Sequence, residues 1–275
     1  MINEEVKPDI IIITETQITG KANIKIKGYN EKILRNRKQK GGGIMIAIRD
    51  NTNLKMIAMH IDEEHEQMWV KVNEYVIGIV YGMIESRTEK SKIEEWYYVL
   101  EKQYVKYQDR KVMIIGDINA HIGNDEYGVY GNSDEISHGG QILRNITERR
   151  NLTIINNEKL CKGKWTREDR SNKTKSILDL VIANENMIDS VNKMEIDEDH
   201  QNKLTRIRRS NNQYQEVKSD HNTIIVEIKG QAEMKPQKHK IWNIKKGWEK
   251  YTEITENIEM KEKWDQKDID AIRGG

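Results

Sequence analysis

Acidic, amide and imidazole side chains recur at one kind of position in this sequence, the ends of short apolar runs. Glu15 follows Ile10-Ile11-Ile12-Ile13-Thr14, and Tyr81 closes Ile77-Gly78-Ile79-Val80. Asp117 and Asn119 come after Val112-Met113-Ile114-Ile115-Gly116, Asp179 follows Ser176-Ile177-Leu178, and Asp220-His221 stand just before residues 223–228. Strand ends are where a rigid sheet presents side chains to one rim, so these groups can converge. Carboxylates with an asparagine amide are hard oxygen ligands suited to Mg²⁺ or Mn²⁺. A histidine beside an aspartate can stabilise an anionic phosphate or carry a proton. Together they suit metal-assisted phosphodiester hydrolysis, in which an activated water attacks phosphorus in line. Taken alone, Asp117-Ile118-Asn119 is also a turn signature, and Ser219-Asp220-His221 also fits a loop; order and spacing of the whole set carry the specificity.

The elements that must hold these groups show in the periodicity. Ile10 to Ile13, bounded by Pro8, fits a strand buried on both faces. A polar stretch from Gly20 to Lys40 follows, then Gly41-Gly42-Gly43 and the strand Ile44-Met45-Ile46-Ala47-Ile48. Strand patterns at 54–60, 67–73 and 75–81 lie close enough for a meander. Over 89–107 the period changes: Ile93, Trp96, Tyr97, Leu100, Tyr104 and Tyr107 recur at helical steps. A strand at 112–115, a helix over 140–150 and strands at 152–155, 177–183 and 223–228 complete the pattern. Meander strands mixed with helix-linked strands predict an α/β (α+β) four-layer sandwich, two packed antiparallel or mixed β-sheets flanked by helices.

Composition sets bounds. The chain has 275 residues, 46 Lys+Arg against 45 Asp+Glu, 33% charged residues and a single cysteine, Cys161. That length suits one large domain, 1–230, followed by a charged helical tail or linker, 231–275, in which Trp242, Trp248 and Trp264 stand among charges. One cysteine excludes a disulfide framework or a Cys-rich zinc site. No apolar run approaches the roughly 20 residues of a membrane span, and no apolar block follows a basic start, so an intracellular protein of nucleus or cytoplasm is expected. Near-neutral charge argues against a general nucleic-acid coat protein. Phenylalanine is absent, so Trp, Tyr and Ile must supply the core volume it usually fills.

On these residues the sequence resembles the endonuclease/exonuclease/phosphatase superfamily, and within it the apurinic-type endonuclease domain of non-LTR retrotransposons. The matching stretches are Pro8 to Thr16, Gly41-Gly42-Gly43, Ile79-Val80-Tyr81, Gly116-Asp117-Ile118-Asn119-Ala120-His121, Gly163-Lys164-Trp165-Thr166, Ser176-Ile177-Leu178-Asp179 and Ser219-Asp220-His221-Asn222. The resemblance implies a DNA-nicking endonuclease that uses Mg²⁺ or Mn²⁺, with double-stranded DNA as partner and a reverse transcriptase domain in the intact element. It implies Glu15 as the metal-binding glutamate and Asp220 as an acid near the metal. It makes Asp117 the residue that aligns or activates water, with Asn119 beside it at the scissile phosphate and Tyr81 reaching that phosphate. His221 would stabilise the phosphoryl oxygens, Asp179 would hold His221, and Thr166 and Ser176 would contact phosphate.

The pattern departs from the family at its start. The family opens with an Asn-bearing strand and a helix before the strand that ends in the glutamate; only seven residues precede Pro8, and Asn3 has no strand around it. This implies an N-terminally shortened domain with an unfilled place in a sheet, uncovered core and weak or absent turnover. Two alternatives stay open: a decayed or co-opted copy acting as a binding scaffold, and a small-molecule or lipid phosphodiesterase or phosphatase of the same superfamily.

Other clusters have plainer readings. His60 and His65 flank Glu63 and Glu64 in what reads as an acidic solvated turn, and the triple glycine reads as a flexible approach to a strand. Cys161 reads as a small half-buried residue. Arg35, Arg37, Lys38 and Lys40, and Lys203, Arg206, Arg208 and Arg209 on a hairpin expected from Asp197 through Ser210, are two basic clusters that suit either solvated loops or a DNA-backbone rim.

Overall fold

A strand covered on both faces sends alternate residues into two different cores, and that parity organises this molecule. The structure is a computed structural model that describes residues 7–20, 24–37, 42–125, 128–130, 136–169, 173–201, 205–210, 213–230 and 233. β1 (Ile10–Thr14), β2 (Glu31–Arg35) and β3 (Ile44–Ile48) form an antiparallel sheet in the order β1-β3-β2. β4 (Met56–Asp62), β5 (Gln67–Val72) and β6 (Tyr75–Tyr81) form a meander, after which helix α1 (Lys90–Val105) crosses to β7 (Lys111–Asp117), parallel to β6. The ribbon β8 (Gly123–Asp125) and β9 (Gly128–Tyr130) precedes helix α2 (His138–Arg149) and β10 (Leu152–Ile154). The short strands β11 (Cys161–Lys162), β12 (Arg167–Glu168) and β13 (Lys175–Ser176) lead to β14 (Asp179–Asn184). Helix α3 (Glu185–Ile188), β15 (Val191–Ile196), the hairpin β16 (Thr205–Ser210) with β17 (Gln213–Lys218), and β18 (Ile224–Ile228) follow.

The central sheet is mixed, in the order β10-β14-β7-β6-β5-β4. Its even-numbered residues on β6, β7 and β14, among them Val76, Val80, Val112, Ile114, Leu180 and Ile182, pack with Ile93, Trp96 and Leu100 of α1 and Leu143 and Ile146 of α2. Its odd-numbered residues face the other way. Ile77 and Ile79 pack with Ile44 and Ile46 of β3, and Met113, Val181 and Ala183 pack with Val191, Met194 and Ile196 of β15. The second face is thus covered by two three-stranded sheets, β1-β3-β2 and β11-β15-β18. This is the α/β sandwich expected from the sequence, with its second sheet divided in two. β1 and β18 are both edge strands among the described residues. Between them lies a cavity of about 700 Å³ whose apolar part is lined by Ile10, Ile12, Ile77, Ile115, Ile224 and Val226.

Trp and Tyr do fill the volume left by the missing phenylalanines. Trp69 and Trp96 are fully buried, and Trp96 stacks edge-on to Tyr97 at 4.8 Å. α2 starts at His138 because Ser137 caps it, its Oγ accepting from Gly140 N at 3.2 Å, while the Glu85 carboxylate accepts from His138 and Gly139 N. β2 falls in the stretch read as polar: it is an edge strand whose Ile33 packs on the core beneath β3. The expected hairpin is shifted. It pairs 205–210 with 213–218, and Asp197–His200 is a turn ahead of it. Lys203 lies outside the described residues. So does the segment Pro236–Gly275, the second of the chain's two units, with its three tryptophans. No helix among the described residues is long and apolar enough to cross a membrane.

Helices α1 and α2 are tied by Glu101, whose carboxylate accepts from Arg149 Nε and Nη2 at 3.1 and 2.7 Å and from Arg150 Nε at 2.7 Å. Burial by itself raises this carboxyl, and the two guanidiniums more than reverse it, so the group sits below the usual carboxylate range. A depressed carboxyl contributes stability above its unfolded pKa and loses that contribution as pH falls through the folded value. Glu101→Gln should therefore cost about 1 kcal/mol at pH 7, the charged hydrogen bonds being discounted for the exposure of Arg149. In denaturant titrations the difference should shrink as pH falls below the usual carboxylate range; a difference that grows on acidification would contradict it.

Candidate active site

Backbone register brings three of the expected residues into a row. β6 and β7 pair Tyr81 with Asp117, and β14 and β7 pair Asp179 with Asp117. Directly opposed residues on adjacent strands share a face about 5 Å apart. All three have the odd parity of Ile79, Ile115 and Val181, so they belong to the face covered by the divided second layer and not to the helix face. Asp117 is 4% exposed. Its Oδ1 accepts from Asn119 N at 3.0 Å, closing a turn in which Asn119 takes left-handed backbone and donates its amide to Gly82 O at 3.0 Å. The turn reading and the site reading of Asp117-Ile118-Asn119 therefore both hold.

His221 joins this row from the last crossover. A bridge between Arg167 and His221 fixes its backbone, and its Nδ1 lies 2.8 Å from Asp179 Oδ2. Ligand atoms of Asp117, Asp179 and His221 all lie within 4.8 Å of one another. Glu15 follows β1 in left-handed backbone, exposed, with Gln17 Nε2 donating to its Oε1 at 3.3 Å. Glu15, Asp117, Asp179, Asp220 and His221 line one end of the cavity between β1 and β18.

The electrostatics follow from crowding acids in a half-dry place. Burial, and then the charge of Asp179, hold the Asp117 carboxyl well above the usual carboxylate range, with His221 opposing. Burial disfavours the His221 imidazolium, but Asp179, with Asp117 and Asp220, outweighs it and lifts the pKa to about 9. Burial, then Glu15 and Asp117, push the Tyr81 phenol above its usual value, so the hydroxyl stays protonated and able to donate. For Asp220, burial is outweighed by His221 and Arg167, and its carboxyl is lowered.

Three expected residues sit differently from their expected roles. Thr166 is fully buried, and its Oγ1 accepts from Leu178 N at 2.9 Å and Asp179 N at 3.0 Å. It supports Asp179 from behind instead of facing a phosphate. Ser176 pairs with Arg167 on the β12–β13 ribbon, its carbonyl accepting from Thr166 N at 3.1 Å, and does not line the cavity. Asp220 does line it, but one carboxylate oxygen accepts from Arg167 Nε at 2.9 Å. Arg167 had no sequence signal beyond following Thr166; only its pairing opposite His221 puts a guanidinium here.

Elsewhere the plainer readings are refined. Asp62 closes the His60–His65 turn by accepting from Glu64 and His65 N; Glu63 and Glu64 are exposed, as a solvated acidic turn requires, while the His65 side chain packs inward at 12% exposed. Arg35 is buried and belongs to no basic rim; Lys38 and Lys40 lie outside the described residues. Burial, then Glu198, raises the Cys161 thiol and keeps it protonated.

The donor set fits a divalent cation. Glu15 and Asp117 have no ion pair among the described residues, and the crowding of Asp117 against Asp179 that raises its carboxyl is the strain a divalent cation would relieve. The donors are hard oxygens, as Mg²⁺ and Mn²⁺ require.

A family described as endonuclease-reverse transcriptase matches residues 86–225, just over half of the chain. The chain belongs to the endonuclease/exonuclease/phosphatase superfamily. Solved structures of this superfamily share its fold. A 3′-5′ exonuclease from Neisseria meningitidis matches with a TM-score of 0.57 at 17% identity, covering 80% of this chain and 89% of its own. An AP endonuclease from Archaeoglobus fulgidus matches with a TM-score of 0.58 at 14% identity, covering 82% and 91%. The endonuclease domain of TRAS1, a telomere-specific non-LTR retrotransposon, matches with a TM-score of 0.53 at 18% identity, covering 81% and 87%. No curated protein matches the sequence at a significant level.

In this superfamily member, Thr166→Val keeps side-chain shape but strips the acceptor from two N–H groups that have no water to turn to. It should destabilise the fold by roughly 2–4 kcal/mol in denaturant titrations, whereas Thr166→Ser should recover most of the loss. A Val variant as stable as the parent would refute the buried role.

Proposed function

We propose that the chain is a divalent-metal-dependent DNA endonuclease of the kind carried by non-LTR retrotransposons. The observation that carries this is the convergence of Asp117, Asp179 and His221, with Glu15 beside them, on one rim of the sandwich. The family description, which joins an endonuclease to a reverse transcriptase, supports the retroelement branch, and the fold shared with the TRAS1 endonuclease domain agrees with it.

Glu15 and Asp117 would hold Mg²⁺ or Mn²⁺, with Asp220 near it and tied to Arg167. Bound there, the ion would act as a Lewis acid on a phosphate oxygen. The protein's own groups do the rest. Asp117, kept ionised by the cation beside it, would orient the attacking water and take its proton. Tyr81, held protonated, donates to a non-bridging phosphate oxygen, and the second N–H of the Asn119 amide does the same. His221, kept cationic by Asp179, stabilises negative charge on the phosphoryl oxygens as it grows. Water oxygen bonds to phosphorus, the bond from phosphorus to the 3′ oxygen breaks, that oxygen takes a proton from solvent, and a 3′-hydroxyl and a 5′-phosphate result. In an intact element that hydroxyl would serve as primer for a reverse transcriptase domain.

Nicking of supercoiled plasmid DNA tests this. Activity should require Mg²⁺ or Mn²⁺, stop with a chelator, and leave ends that a polymerase extends. Asp117→Asn and His221→Ala should each lower the rate by about 10³-fold without loss of fold. A purified Asp117→Asn protein that nicks at the parental rate would remove the basis of the proposal.

A further inference from the structure

Behind Glu15 lies an acid that the proposed chemistry does not use. Glu66, in the turn between β4 and β5, forms an ion pair with buried Arg35 of β2. Arg35 is itself clamped by the carbonyls of that turn, donating from Nε to Asp62 O at 2.8 Å and from Nη2 to Glu63 O. The Glu66 carboxylate also accepts from Gly43 N at 2.9 Å, and it fills the space in which a Cβ on Gly42 would stand. Gly42 and Gly43 are buried in left-handed backbone, so these two glycines are packed under a carboxylate and are no flexible approach to β3. Their carbonyls in turn accept from Gln17 N and Thr16 N, both at 3.0 Å. Those two residues follow Glu15 directly. On its other side, Glu66 O accepts from Tyr81 N at 3.0 Å.

The backbone here is under strain that something must hold. Glu15, Gln17 and Glu66 all adopt left-handed conformation, with φ of 52°, 56° and 51°, which is unfavourable for residues other than glycine, asparagine or aspartate. Such residues persist where surrounding contacts over-determine them. Glycine at position 66 would relieve the strain but would remove the carboxylate that anchors the loop.

We propose that Glu66, anchored by Arg35, is a positioning residue that sets the Glu15 carboxylate, through the Gly42-Gly43 backbone, against the Tyr81 end of β6. This rests on the proposed role of Glu15 in holding a divalent ion. The ion pair also explains why Glu66 is not itself a ligand: both its charge and its Oε2 are taken by protein groups.

The test uses two variants of the full chain. Glu66→Gln keeps an oxygen for Gly43 N and loses the charge facing Arg35; Gly42→Ala pushes a methyl into the carboxylate and leaves the ion pair's charges in place. Amide hydrogen exchange at Thr16 and Gln17 should accelerate by about tenfold or more in both, while Ile46 and Ala47 in β3 stay protected. Mn²⁺ binding by calorimetry should weaken about tenfold, the order expected for outer-contact residues of metal sites. Unchanged exchange at Thr16 and Gln17 in either folded variant overturns the proposal, as does acceleration that reaches Ile46 and Ala47 equally. If one variant does not fold, the other decides. A parent protein that binds no Mn²⁺ would defeat the metal role of Glu15, and the exchange rates would still decide whether Glu66 holds the loop.

Discussion

Like charge held close together in a half-buried rim is the constraint on which the rest of this structure depends. Asp117 and Asp179 face each other across adjacent strands, and register leaves them no means of moving apart. The cost of that proximity appears as a raised Asp117 carboxyl and a histidine kept cationic. A sheet can impose such a cost because its ladder is stiff and continuous: β6, β7 and β14 pair over five or more residues each, and a loop carrying the same acids would move until water screened them.

The same stiffness explains the two-faced build. Each central strand has to satisfy a helix layer with one set of residues and a second β layer with the other, so a shift of one residue would exchange cores. Tyr81, Asp117 and Asp179 stand at one end of the odd-numbered set facing the second layer. They project where that layer is divided, beside the cavity between β1 and β18. Access to the site thus follows from the gap between β1 and β18 among the described residues.

Much of this was legible in the sequence, because the signals are periodic. Helical steps from Ile93 to Tyr104 mark α1, and the runs ending in Tyr81 and Asp117 mark β6 and β7. What was not legible depends on cross-strand partners. β2 reads as polar because an edge strand packs on one side only, and β15 spaces Val191, Met194 and Ile196 unevenly around polar residues and a register shift. Thr166 looks like a surface hydroxyl until the amides of Leu178 and Asp179 are seen to donate to it. Arg35 looks like part of a basic cluster until the β4–β5 turn closes over it. In each case the deciding partner is distant in sequence, and the residue's own neighbours hold no trace of it.

A simple rule then separates the acids of the site. Three carboxylates each have a cation of their own: Glu66 has Arg35, Asp220 has Arg167, and Asp179 has His221. Glu15 and Asp117 have none among the described residues. Glutamate and aspartate are chemically alike, so composition cannot tell a ligand from a brace; only the assignment of cations does. An acid already paired gains little from a metal, because neutralising it a second time would mean breaking a charged hydrogen bond. An unpaired acid beside another acid gains the most. On that physical ground the proposed function would give the divalent ion to Glu15 and Asp117, let Asp179 act through His221, and leave Asp220 at the margin of the metal set that the family resemblance implies.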